Sequence, residues 1–73
     1  MINKIIEVQS KSAKSWEDAA QQAVNEAAQT VKNIRSIWVR DFSAKVEKGK
    51  ITEYRVDAKV TFEVMHEKEA VAH

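Results

Sequence analysis

The chain predicts an α+β fold of β-α-β-β order, a three-stranded antiparallel-type sheet wrapped on one helix. Three observations predict it. From Glu53 to Val64 the sequence alternates without a break: Tyr54, Val56, Ala58, Val60, Phe62 and Val64 are apolar or aromatic, and Glu53, Arg55, Asp57, Lys59, Thr61 and Glu63 are charged or polar. Strand side chains point to opposite faces in turn, so this stretch is a long strand with one apolar and one charged face. From Trp16 to Val31 the apolar residues recur every three or four positions, the period of an amphipathic helix. Between them, Ile34 to Val46 is rich in branched and aromatic residues and ends in a turn at the only glycine, Gly49.

In chain order, Ile2 to Val8 reads as the first strand, carried by Ile2, Ile5, Ile6 and Val8. Gln9 to Lys14 is rich in serine and lysine and reads as a loop. Ser15 is a good helix N-cap, because its hydroxyl can accept a first-turn N–H. Glu17 and Asp18 behind it suit the positive end of the helix dipole. Trp16, Ala20, Ala23, Ala27 and Val31 form the apolar stripe, widened by Ala19, Val24 and Ala28, with Trp16 as the anchor at its start. The helix is expected to end near Lys32 and Asn33, since asparagine tolerates a left-handed cap.

The second strand, Ile34 to Val46, alternates imperfectly. Ile37 and Val39 have one parity; Trp38, Phe42 and Val46 have the other. Either both faces are partly covered, or a bulge near Arg40 to Phe42 switches them. Glu47 to Lys50 is expected to be the turn of a hairpin joining the last two strands. The connection through the helix suggests parallel first and second strands, with the third between them and antiparallel to both. Residues 1–65 then form one domain, and residues 66–73 are expected to fray.

Composition narrows the function. A chain of 73 residues buries a small core, and with no cysteine it has no disulfide or thiolate metal site to support it. The two histidines, His66 and His73, lie near the C-terminus. Three long strands against an alanine-rich helix leave sheet uncovered, so oligomerisation is the expected supplement. The net charge is +1 with both signs interspersed, unlike the basic patch of a nucleic-acid binder. No run is long enough to span a membrane, and residues 1–15 lack the apolar core of a signal peptide, so a cytoplasmic protein is expected. There is no phosphate-binding glycine loop, no His-x-x-x-His and no carboxylate run with metal-loop spacing. No histidine in the expected core can activate a nucleophile, so the chain is not expected to be an enzyme.

Two side chains have more than one reading. Trp38 either packs in the sheet or a subunit interface, or forms a stacking wall for a planar ligand. Arg55 is either a solvated, salt-bridged strand residue or a five-donor fork suited to an anion or a flavin edge. Glu53, Asp57 and Glu63 can pair with Arg55 and Lys59, or converge across a symmetric interface on a cation such as calcium.

Three motifs carry a family resemblance: Ser-Trp-Glu-Asp-Ala-Ala-x-x-Ala-Val at 15–24, Thr-Val-Lys-Asn-Ile at 30–34, and Gly-Lys-Ile-Thr-Glu-Tyr-Arg-Val-x-x-x-Val-x-Phe at 49–62. In this order and spacing they resemble the dodecins, over nearly the whole chain up to Val64. The resemblance implies a hollow homododecamer that binds or stores a small ligand at subunit contacts, without nucleic-acid or membrane partners. In many dodecins that ligand is a flavin, here FMN or riboflavin. The flavin binders carry a tryptophan that stacks on the ring and a glutamine that bonds its edge; these positions fall on Ser36 and Arg55. Trp38 lies two residues beyond Ser36, roughly 6–7 Å along a strand. Asp41 matches a position that contacts the flavin side chain in some members. A second branch, with arginine after the tyrosine, is associated with calcium, and Tyr54-Arg55 looks closer to that branch. The resemblance thus implies Ser36, Trp38, Asp41 and Arg55 as ligand-binding residues, with flavin or calcium as the ligand and no metal ligands assigned.

Overall fold

The computed structural model describes residues 2–64, in the order β1 (Ile2–Ser12), α1 (Trp16–Ala28), β2 (Ile34–Glu47) and β3 (Lys50–Val64). The expected fraying of residues 66–73 lies outside the described residues. The sheet order is β1-β3-β2, and β3 is antiparallel to both neighbours. β1 and β2 form no ladder with one another; β3 lies between them, and since each is antiparallel to it they run in the same direction.

Ser15 caps the helix: its side chain accepts the Asp18 N–H at 2.9 Å, in an extended backbone that no helical residue shares. The helix stops at Ala28, four residues short of the expected end. The Ala27 carbonyl accepts the N–H groups of both Thr30 and Val31, at 3.0 and 2.9 Å, which closes the last turn. Thr30 and Val31 are β-branched and suit the extended chain that follows. Asn33 does take a left-handed conformation (φ 62°), but as the last residue before β2 and not as the cap, which is Gln29.

β1 runs four residues beyond its expected end. Gln9 to Ser12 are polar, but they pair in register with Asp57 to Tyr54 of β3, and a formed ladder outweighs a weak local preference. β3 likewise begins at Lys50, because the hairpin needs only two turn residues, Lys48 and Gly49. Both have positive φ (53° and 78°), the type I′ geometry that matches strand twist.

Register explains the broken alternation of β2. Ile37 and Val39 pair with Val60 and Ala58; after a register shift between Val39 and Asp41, Phe42 and Ala44 pair with Val56 and Tyr54. All four partners belong to the apolar face of β3. The extra residue, Arg40, is the bulge that switches parity and keeps the apolar side chains facing α1.

The core is where α1 meets that face. Ala19, Ala23 and Ala27 lie against Val56, Ala58 and Val60, all buried. Ala28, expected in the stripe, is exposed. Trp16 anchors the helix start: its indole N–H donates to the Ser43 carbonyl at 3.0 Å, and its ring meets Tyr54 and Phe42 edge-on, with centroids 4.8 and 6.1 Å away. A helix of 13 residues spans about 20 Å, while a strand of 15 spans about 50 Å. Phe42, Val46 and Ile51 lie toward the hairpin end that the helix leaves uncovered, and all three are exposed.

Candidate functional site

The sheet face turned away from α1 carries the odd-numbered side chains of β3, and ladder pairing arranges it in rows. One row is Ile5–Thr61–Ser36, the next Glu7–Lys59–Trp38, then Gln9–Asp57–Asp41, then Lys11–Arg55–Ser43. Consecutive rows are two residues apart, roughly 6–7 Å. The four sequence-derived positions therefore share one face, each in its own row. No register shift separates Ser36 from Trp38, so those two point the same way.

Asp41 and Arg55 come together in an open cleft of about 460 Å³. Gln9, Ser10, Lys11, Ser43 and Asp57 complete its polar lining. That volume is in the range of small-ligand sites. Ser36 and Trp38 lie outside the cleft lining, with Trp38 one row from Asp41. Trp38 is 62% exposed, a large apolar residue on an otherwise charged face. The Lys59 ammonium lies over the Trp38 ring, 5.4 Å from its centroid, a cation–π contact.

Charge on this face is mostly paired. The Arg55 Nε donates to Glu53 Oε2 at 2.6 Å, and Lys11 Nζ is 4.0 Å from the same carboxylate. The Arg55 hydrogen bond chiefly holds the Glu53 carboxyl below its ordinary value; partial burial opposes this, and the charges of Arg55, Lys11 and Lys45 reinforce it. Arg40 reaches Glu7 at 3.0 Å and Arg35 reaches Glu63 at 2.6 Å. Asp41 and Asp57 are different: two like charges directly opposite across the ladder, which is destabilising unless something lies between them. Among the described residues no three acidic or imidazole side chains converge as a metal site.

Gln9 and Lys11 were missed from the sequence because 9–14 reads as a loop. The complementary charges of Lys11 and Glu53 are a signal that the pairing continues. Lys59 was read only as one of the charged residues of β3; its register opposite Trp38 depends on the bulge, which the sequence offered near Arg40 to Phe42 only as one of two alternatives.

The fold and the face define the class: a small α+β unit with an open ligand-sized cleft and apolar surface left uncovered. The dodecin family model matches residues 2–65. The chain belongs to the dodecin family. Among solved structures it is similar to calcium dodecin of Mycobacterium tuberculosis, a calcium-chelating immunodominant antigen with a calcium-binding site. Identity is 34% and the TM-score 0.75, over 90% of this chain and 94% of that one. The dodecin of Streptomyces davaonensis shares the fold at 22% identity and TM-score 0.83, over 89% and 96%. A Thermus thermophilus protein does so at 23% and 0.84, over 89% and 96%. No curated protein matches the chain. No helix among the described residues is long and apolar enough to cross a membrane.

Proposed function

We propose that this chain is the subunit of a non-catalytic, cytoplasmic homododecamer that binds or stores a small planar ligand, a flavin, where outer sheet faces of two subunits meet. The observation that carries the reading is Trp38, a residue 62% exposed in the middle of a charged face and one row from a ligand-sized cleft. An exposed tryptophan suits stacking against a planar ring. From the Ser36 row to the Arg55 row the face spans roughly 20 Å, longer than one flavin ring, so one subunit's Trp38 and another's Arg55 and Asp41 together enclose the ligand. The cleft is open in a single chain, and a second copy supplies the missing wall.

The test is quenching of riboflavin and FMN fluorescence. Wild type at tens of micromolar quenches, and Trp38→Ala does not. Equal quenching by the two refutes Trp38 as the stacking wall, and unchanged fluorescence with wild type refutes flavin binding.

Asp41 and Asp57 favour a second reading, a non-flavin shell that binds calcium. The opposed carboxylates supply two to four oxygen ligands from each chain, according to whether each binds through one oxygen or both, and symmetry brings in more. The similarity to calcium dodecin supports it. A melting temperature raised by calcium and lowered again by chelator is the expected result, because a ligand bound only to the native state stabilises it.

A further inference from the structure

We propose that Lys59 makes the Trp38 surface select planar ligands that carry an anionic group, so that FMN is preferred to riboflavin; this rests on the stacking reading above. Lys59 is the cross-strand partner of Trp38, and its ammonium lies 5.4 Å from the indole centroid. On its other side Lys59 pairs with Glu7, the natural counter-ion, but Arg40 holds that carboxylate at 3.0 Å. Among the described residues Lys59 forms no salt bridge. Its ammonium rests on the ring instead.

The neighbouring rows give this cation a direction. On one side lie Asp57 and Asp41, which repel an anion. On the other lie Thr61 and Ser36, hydroxyls directly opposite one another that can donate hydrogen bonds. Lys59, Thr61 and Ser36 thus present one ammonium and two hydroxyls along the edge of the stacking surface. A neutral ring stacking on the covered face displaces Lys59 and loses the cation–π contact. A ring with a phosphate keeps the ammonium as its partner, with a charge-assisted hydrogen bond in return. Ser36 is small and exposed, so its side chain leaves room for the anion beside Thr61.

The experiment compares FMN and riboflavin affinities by fluorescence quenching, for wild type, Lys59→Met and Lys59→Arg, with assembly mass as a control. Wild type is expected to bind FMN about fivefold more tightly than riboflavin at low salt, the scale of one exposed ion pair. The preference shrinks as salt rises. Lys59→Met keeps the apolar stem and brings the ratio to about one, and Lys59→Arg retains it. A wild-type ratio of one, a ratio insensitive to salt, or a preference unchanged in Lys59→Met overturns the proposal while leaving stacking intact. Quenching by neither flavin overturns the stacking reading, and this one with it.

Discussion

Val60 is the largest side chain that is fully buried, and it tests the assignment of the two faces of β3. It pairs with Ile6 on one side and Ile37 on the other, beneath the alanine stripe of α1. Val60→Ala removes two carbon groups from the interior. Transfer contributes about 0.8 kcal/mol for each. The void left behind adds roughly 1 kcal/mol, because strands pinned on both sides collapse little. The expected loss is about 2–3 kcal/mol. Thr61, one residue on, faces away from the helix, and Thr61→Ala is expected to cost under about 0.5 kcal/mol. Urea midpoints at fixed subunit concentration, with the slope unchanged, give both values. A loss below about 0.5 kcal/mol for Val60→Ala, or a larger one for Thr61→Ala, refutes the placement of the core.

Two further predictions follow from polar contacts. Ser12 is 8% exposed; it donates to Asp18 Oδ2 at 2.6 Å and accepts the Lys14 N–H at 2.9 Å, tying the β1 end to the first helical turn. Ser12→Ala leaves both partners short of a bond and is expected to cost about 1–2 kcal/mol, seen as a melting temperature lower by roughly 4–8 °C per kcal/mol. The Glu53 carboxyl, held below its ordinary value of 4.5 by the Arg55 hydrogen bond first of all, stabilises the fold above that pH. Its contribution is lost as pH falls through the lowered value. From pH 6 to pH 3, wild type should lose more melting temperature than Arg55→Ala; parallel curves would show that the pair contributes nothing.

Much of the fold was legible because β3 alternates without interruption and α1 has an unbroken helical period. Those patterns are the packing itself, since Val56, Ala58 and Val60 meet Ala19, Ala23 and Ala27. What was not legible depends on partners far away in sequence. Gln9 to Ser12 have little strand preference and became strand only through Asp57 to Tyr54. The helix end depended on one carbonyl, Ala27, accepting two N–H groups. The candidate positions could be listed from the sequence, but not their arrangement, which places Asp41 and Arg55 at the cleft and Ser36 and Trp38 outside its lining. Ser36, Trp38, Asp41 and Arg55 can each be named from the chain, but their order in rows follows from the Arg40 bulge and the register. Lys59 is the clearest case: its role as the neighbour of Trp38 exists only once the hairpin is aligned.

The central claim is that this unit works as one of many, its ligand held between sheet faces of different subunits. The mass of the native assembly by light scattering tests it most directly. Twelve chains of 8.3 kDa, 12 × 8.3, give about 100 kDa, the expected result. A stable particle of 8.3 kDa would contradict it, because Trp38, Phe42, Val46 and Ile51 would then be left exposed and the cleft left without its second wall.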